Sequence, residues 1–143
     1  CGNGPDEDEL RKLIHEKKLE KQVQLIGFRT DMNEILQTAD VFAFPSIREG
    51  LGIAAIEALA CGVPLIVADN RGTREYLHND KNGLICDAFD RNAFVAAIDK
   101  VYSNVEYRKK LADYCRESVI QFSTEETVRT MERIYSTMDK RIS

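Results

Sequence analysis

No stretch of this sequence approaches the ~18–20 consecutive apolar residues of a membrane span, and no basic-then-apolar leader opens it. Positive charge is not in excess: Lys and Arg number 20 against 24 Asp and Glu, a net charge of −4. A protein that grips a phosphate backbone concentrates positive potential on one face. None is concentrated here, so nucleic acid is not an expected partner, while small anionic ligands remain open. The four cysteines (Cys1, Cys61, Cys86, Cys115) never stand at C-x-x-C spacing, and the only histidines are His15 and His78. A zinc site needs clustered thiolates or imidazoles, so no metal site is expected, and the cysteines read as free thiols in a reducing cytoplasm. Repeats and low-complexity linkers are missing as well. So is an initiator methionine: the chain opens on Cys1-Gly2-Asn3-Gly4-Pro5 and then the acids Asp6 to Glu9.

What is present is one domain's worth of chain. Its 143 residues are 43% apolar and 31% charged, enough to bury roughly 68–70% of the unfolded surface in an ordinary core. The opening turn has glycines for a tight backbone, then Pro and acids for a first helical turn, the pattern of a strand-to-helix junction. A strand should precede it, so the chain is expected to be a piece of a longer protein.

Beyond the turn, helix and strand alternate. Apolar spacing predicts a helix over residues 6–19, a strand over 23–28, and a helix capped by Asp31 through Met32, Ile35 and Leu36. Val41-Phe42-Ala43-Phe44, ended by Pro45, reads as a strand buried on both faces. A helix from Ile53 to Ala60 should stop at Cys61-Gly62, with Pro64 just beyond. Leu65 to Ala68 is another buried strand, 72–77 a short helix and 83–86 a short strand. From residue 90 all is helical, with stripes through Phe94, Val95, Ile98, Val101 and Tyr102, then Tyr107, Leu111, Ala112, Cys115 and Val119. A last stripe, after Thr124, runs through Val128, Met131, Ile134, Tyr135 and Met138, and part of it is expected to be exposed. This is α/β: a Rossmann-like, three-layer parallel sheet closed by C-terminal helices.

Ligands of open parallel sheets bind beyond the carboxyl ends of the strands. There, Pro45-Ser46-Ile47-Arg48-Glu49-Gly50-Leu51-Gly52 leads into the Ile53 helix. Free amides and the positive end of the helix dipole suit an anion such as phosphate, and glycines let backbone approach it; alternatively the glycines merely make the turn. Glu57 falls within about 40° of Ile53 on a helical wheel, at the margin of the buried face. A carboxylate clamps a vicinal diol through two hydrogen bonds, so acid, amides, acid would suit a sugar on each side of a diphosphate. The plainer alternative is that Glu49 is solvated and Glu57 pairs with Arg48 or Arg74. Asp6-Glu7-Asp8 reads as a helix N-terminus rather than a metal grip.

Val41 to Gly62, with Glu49 and Glu57 separated by seven residues, resembles the donor-site motif of retaining family 4 glycosyltransferases. Other landmarks fall in the same order: Cys1 to Pro5 as the Gly-x-Gly-Pro turn, Gly27-Phe28, Ala39-Asp40, Pro45-Ser46, Gly62-Val63-Pro64, Asn82-Gly83-Leu84-Ile85 and Phe122-Ser123. Asp69 to Glu75 resembles the capsular and exopolysaccharide subgroup. The resemblance implies half of a two-domain GT-B enzyme that transfers a hexose from a nucleotide sugar, UDP being the usual base, to a glycan or lipid-linked acceptor without a metal or cofactor. Glu49 would then be the catalytic-site acid on the hexose hydroxyls, Glu57 would hold the ribose, and the amides of Gly50, Leu51, Gly52 and Ile53 would meet diphosphate or hexose. Main-chain groups of Phe28 and Arg29 would contact the base. On this reading residues 1–143 are a donor-binding domain incomplete at its N-terminus, inactive alone. Acceptor domain and phosphate-binding Arg and Lys would lie upstream in cis, and any attachment to the inner membrane surface would be left to that missing part of a cytoplasmic enzyme. Half of a nucleotide-sugar 2-epimerase and a non-catalytic interaction module are the alternatives. Burial of Glu57 would discriminate against the module, since a scaffold gains nothing from a costly buried acid.

Overall fold

The computed structural model describes the backbone of residues 2–142 and side chains as far as Thr137; Cys1 of the opening turn and the Met138 side chain of the last stripe lie outside the described residues. Elements run in the order α1 (Glu7–Glu16), α2 (Met32–Gln37), β1 (Phe42–Phe44), α3 (Ile53–Ala60), β2 (Leu65–Ala68), β3 (Gly83–Cys86), α4 (Arg91–Ser103), α5 (Val105–Ser118) and α6 (Thr124–Ile142). Single 3₁₀ turns stand at Thr73–Glu75 and Ile120–Phe122. The chain forms two compact units that divide between Met32 and Asn33.

In the larger unit the three strands are all parallel, in the order β1-β2-β3. Phe42 pairs with Leu65, and Leu65 in turn with Gly83. Parallel neighbours require crossovers, and α3 supplies the one between β1 and β2. The central strand, Leu-Ile-Val-Ala, is buried at every position, as a strand covered on both faces should be. Ile66, Leu84 and Cys86 pack with Ala97, Val101 and Leu111 of α4 and α5. Of the stripe expected on α4, Phe94 and Val101 face inward together with Ala97, while Val95, Ile98 and Tyr102 are exposed. The α5 stripe is inward as expected, with Leu111, Cys115 and Val119 buried.

Helix α3 has the predicted bounds. Its Ala- and Leu-rich sequence favours helix, and it ends in a Schellman motif: Gly62, at φ +85°, donates to Leu59 O, and Val63 donates to Ala58 O. The Arg116 guanidinium donates to the carbonyls of Ala60 and Cys61, so a cation also closes the negative end of the helix dipole.

Other expectations are corrected. Strand β1 is not buried on both faces: it lies at the sheet edge, and Ala43 is exposed. The 72–77 helix shrinks to the 3₁₀ turn at Thr73–Glu75, where Asn70 and Thr73 bond to each other and to Ala68 O. In the smaller unit, Val23 to Phe28 is not a strand; it pairs with no other segment as a ladder among the described residues. Apolar content makes a segment fit for a strand, but a strand exists only with a neighbour. Helix α1 in the same unit stops at Glu16, before Lys18 at φ +55°.

Val128, Met131, Ile134 and Tyr135 of α6 are 43–60% exposed, a contiguous apolar stripe in water. The expected result is weak binding of a hydrophobic dye by this chain, diminished by Met131→Glu; equal fluorescence in the two would rule the stripe out as its source.

Candidate functional site

Because the strands are parallel, their carboxyl ends open on one side of the sheet, and the loops after Phe44, Ala68 and Cys86 gather there. The first holds Glu49 and Gly50. It is anchored by the second: Asn70 Nδ2 donates to Ser46 O at 2.7 Å, and a Cβ on Gly72 would come within 2.8 Å of both Glu49 O and Gly50 O. Asn70 is buried and exchanges hydrogen bonds with buried Thr73, which fixes this anchor. Ser46 Oγ donates to Glu49 Oε2 at 3.3 Å and leaves that carboxylate half-buried.

Gly52 is the N-cap of α3, at φ +78° and ψ +59°, and no side chain caps the helix. The first inward bond is made by Ala55, to Gly52 O, so the amides of Ile53 and Ala54 stand at the positive end without a side-chain acceptor. The two glycines differ. Gly52 has the left-handed backbone the turn requires, whereas a Cβ on Gly50 would meet nothing within 4 Å. The turn accounts for Gly52, whereas packing gives no reason for Gly50.

Helix α3 turns Ala55, Ala58 and Leu59 inward and leaves Ile53, Ala54, Glu57 and Ala60 outside. Glu57 is therefore exposed, not at a buried margin. It makes no ion pair among the described residues. Pairing with Arg74 does not occur because Arg74 grips Asp69 through Nε and Nη2, at 2.7 and 3.0 Å; that fork holds the Asp69 carboxyl below the usual carboxylate range. Pairing of Glu57 with Arg48 is absent too. An exposed acid costs a scaffold little, so Glu57 does not argue against an interaction module as a buried one would. Ile53, at the first position of the helix and one turn from Glu57, is 67% exposed. Leu51 occupies the same loop and is also exposed.

Tyr76 was not legible as a site residue. It follows the 3₁₀ turn, is fully buried, and carries the single buried side-chain polar atom without a partner among the described residues. Burial and the Glu49 charge push its phenol up to about 12.

Phe28 and Arg29 belong to the smaller unit. There the opening turn and the 27–29 loop lie together: Gly2 donates to Gly27 O at 2.7 Å, and the Phe28 amide donates to Asn3 Oδ1 at 3.0 Å. The Phe28 amide is thus already engaged, which leaves its carbonyl as the free main-chain group, while its ring is 73% exposed. Asp31, expected to cap α2, instead binds the Arg29 guanidinium with both oxygens; Arg29 holds the Asp31 carboxyl below its ordinary range. Asp6 to Glu9 form the start of α1, as read, although Asp6 makes no side-chain cap. Among the described residues no three His, Cys, Asp or Glu side chains are grouped to hold a metal, and no helix is long and apolar enough to cross a membrane.

Comparison with known proteins places this geometry. The chain is 36% identical over 136 residues to the putative glycosyltransferase EpsD of Bacillus subtilis, covering 95% of the chain and 36% of the relative. It is 30% identical over 125 residues to the lipopolysaccharide core biosynthesis glycosyltransferase LpsE of Rhizobium meliloti, covering 87% of the chain and 37% of the relative. Among solved structures, S. aureus TarM in a complex that includes UDP superposes with a TM-score of 0.84 at 25% identity, over 92% of this chain and 27% of TarM. The chain thus spans little more than a third of either curated relative. Residues 1–118, which hold both loops described above, match the family described as glycosyl transferases group 1, and the chain belongs to that family.

Proposed function

We propose that this chain is the nucleotide-sugar-binding half of a retaining hexosyltransferase of the capsular and exopolysaccharide kind, with UDP as the nucleotide, a GT-B partner domain in cis, and a glycan or lipid-linked acceptor. The observation that carries the proposal is the uncapped N-terminus of α3, opening at the carboxyl end of a parallel sheet between two acids, Glu49 in the loop and Glu57 one turn along the helix. The Ile53 and Ala54 amides would take the diphosphate. Glu57, exposed and unpaired among the described residues, would accept both hydroxyls of the ribose. Glu49, half-buried against Ser46, would take the hexose hydroxyls.

In the transfer, the bond from the anomeric carbon to the diphosphate breaks, and negative charge accumulates on the leaving phosphate. Helix amides aimed at that charge stabilise the transition state more than the ground state, which is catalysis by fixed electrostatics. Glu49 would orient the hexose, and the sugar-acceptor bond would form on the retained face with the leaving phosphate taking the acceptor's proton. The relative named for lipopolysaccharide core biosynthesis and the UDP-bound neighbour support this reading.

The experiment is an amide-resolved NMR titration of UDP and UDP-glucose into this chain, repeated with Glu57→Ala. Shifts at 50–53 are expected. Affinity should fall at least about tenfold in the variant, as loss of charge-assisted bonds to a diol requires. Absence of shifts at millimolar ligand would refute donor binding by this chain.

A further inference from the structure

The buried Tyr76 hydroxyl lies at the floor of the candidate site. An ideal Cβ placed on Gly52 would sit 2.8 Å from the Tyr76 hydroxyl and 3.1 Å from Glu49 Cγ, so the phenol and the acid flank one point at the start of α3. The Tyr76 ring is packed edge-on against Phe122, with centroids 6.4 Å apart, and none of it reaches solvent. Phenylalanine would fill that place equally well. The oxygen alone is unexplained, and a buried hydroxyl without a partner is destabilising. Its natural acceptor is nearby: among the described residues Glu49 is held by Ser46 Oγ alone, at 3.3 Å, near the limit of a hydrogen bond, and that hydroxyl is also directed at Arg48 O at 3.1 Å.

We propose that Tyr76 is a positioning residue for Glu49: when a nucleotide-bound hexose occupies the sheet end, the Glu49 carboxylate turns inward, one oxygen accepts the Tyr76 proton, and the other is left aimed at a sugar hydroxyl. No bond is made or broken beyond this hydrogen bond. The proposal rests on the donor-site reading above and adds a residue to it. It explains why the fold tolerates an unpartnered phenol, because Glu49 becomes its partner once the ligand is bound. The same geometry accounts for the glycine at position 52, since any side chain there would separate the two groups.

The test is a double-mutant cycle in this chain, with Tyr76→Phe, Glu49→Ala and both together, titrated with UDP and with UDP-glucose. Tyr76→Phe should weaken UDP-glucose about tenfold, the worth of one hydrogen bond to a charged acceptor, and leave UDP unchanged. In the Glu49→Ala background the same substitution should have no further effect. The thermal midpoint of ligand-free Tyr76→Phe should be equal to or above that of the parent, because an unpartnered buried hydroxyl is removed. Equal losses for UDP and UDP-glucose, an undiminished loss in the Glu49→Ala background, no loss at all, or a lowered midpoint would each overturn the proposal while the donor site stands. If the parent chain binds neither nucleotide, the donor-site reading falls and this inference with it.

Discussion

Asn82→Ala should lower the thermal midpoint by roughly 10 °C, corresponding to about 3 kcal/mol in a chain of this size. Asn82 is fully buried, and every polar function of its amide is used. Nδ2 donates to Tyr76 O at 2.9 Å and to Ser118 Oγ at 2.8 Å, while Oδ1 accepts from the His78 amide at 2.8 Å. One side chain thus ties the turn before β3, the loop carrying Tyr76 and the end of α5. Alanine would leave the buried Tyr76 carbonyl and the part-buried His78 amide without these partners as well as a cavity, and both costs arise in the folded state alone. The next residue is as constrained. A Cβ on Gly83 would lie 2.3 Å from Leu65 O, inside the β2–β3 ladder, where no flexible side chain can give way. Gly83→Ala is expected to yield no folded chain, and Ser118→Ala, which removes a single contact of Asn82, should cost about 1 kcal/mol. A circular-dichroism melt of the three variants checks the order; if Ser118→Ala proved as damaging as Asn82→Ala, the hub would be the hydroxyl and not the amide.

The Asn82-Gly83 pair shows what the sequence can and cannot say. Its resemblance to a family landmark was legible, but its reason, a buried amide hub followed by a strand too close for a side chain, lies in residues 36 positions away along the chain. Elements whose causes are local were legible: α3 carries its own stop signal at Gly62, and β2 and β3 are short apolar runs between turn residues. Where a partner decides, the pattern misleads. Val23 to Phe28 has strand composition without a ladder, and Ala43 sits in an apolar run yet faces outward at an edge. Glu57 failed for a related reason. The helical wheel placed it correctly beside Ile53, but Ile53 is itself exposed, and periodicity ranks positions relative to one another without saying which face meets the core. Glu49 and the glycines were singled out because loops at the carboxyl ends of parallel strands are where function concentrates, and the structure puts them in such a loop. Tyr76 was not, since a buried aromatic in a sequence gives no sign that its oxygen lacks a partner.

Gly52→Ala should lose about 2–4 kcal/mol of stability and, in whatever fraction stays folded, abolish the sugar-nucleotide shifts at the α3 N-terminus. Two costs add. The backbone at φ +78° and ψ +59° is left-handed, which any side chain adopts at a penalty. The new methyl would also press on Phe44 Cε1 and Glu49 Cγ at 3.1 Å and on the Tyr76 hydroxyl at 2.8 Å. Tyr76 has no room to retreat, so the group that yields is Glu49, displaced outward from the floor of the site. Gly50→Ala is the contrast that separates turn from ligand. Its Cβ would enter open space with no left-handed backbone to strain, so its melting temperature should match the parent's. If Gly50→Ala nevertheless loses UDP-glucose, the missing side chain at 50 makes room for a ligand and not for the fold. If it binds as the parent does, Gly50 contributes no approach to the diphosphate, and the amides that do so begin at Ile53, where the helix itself begins.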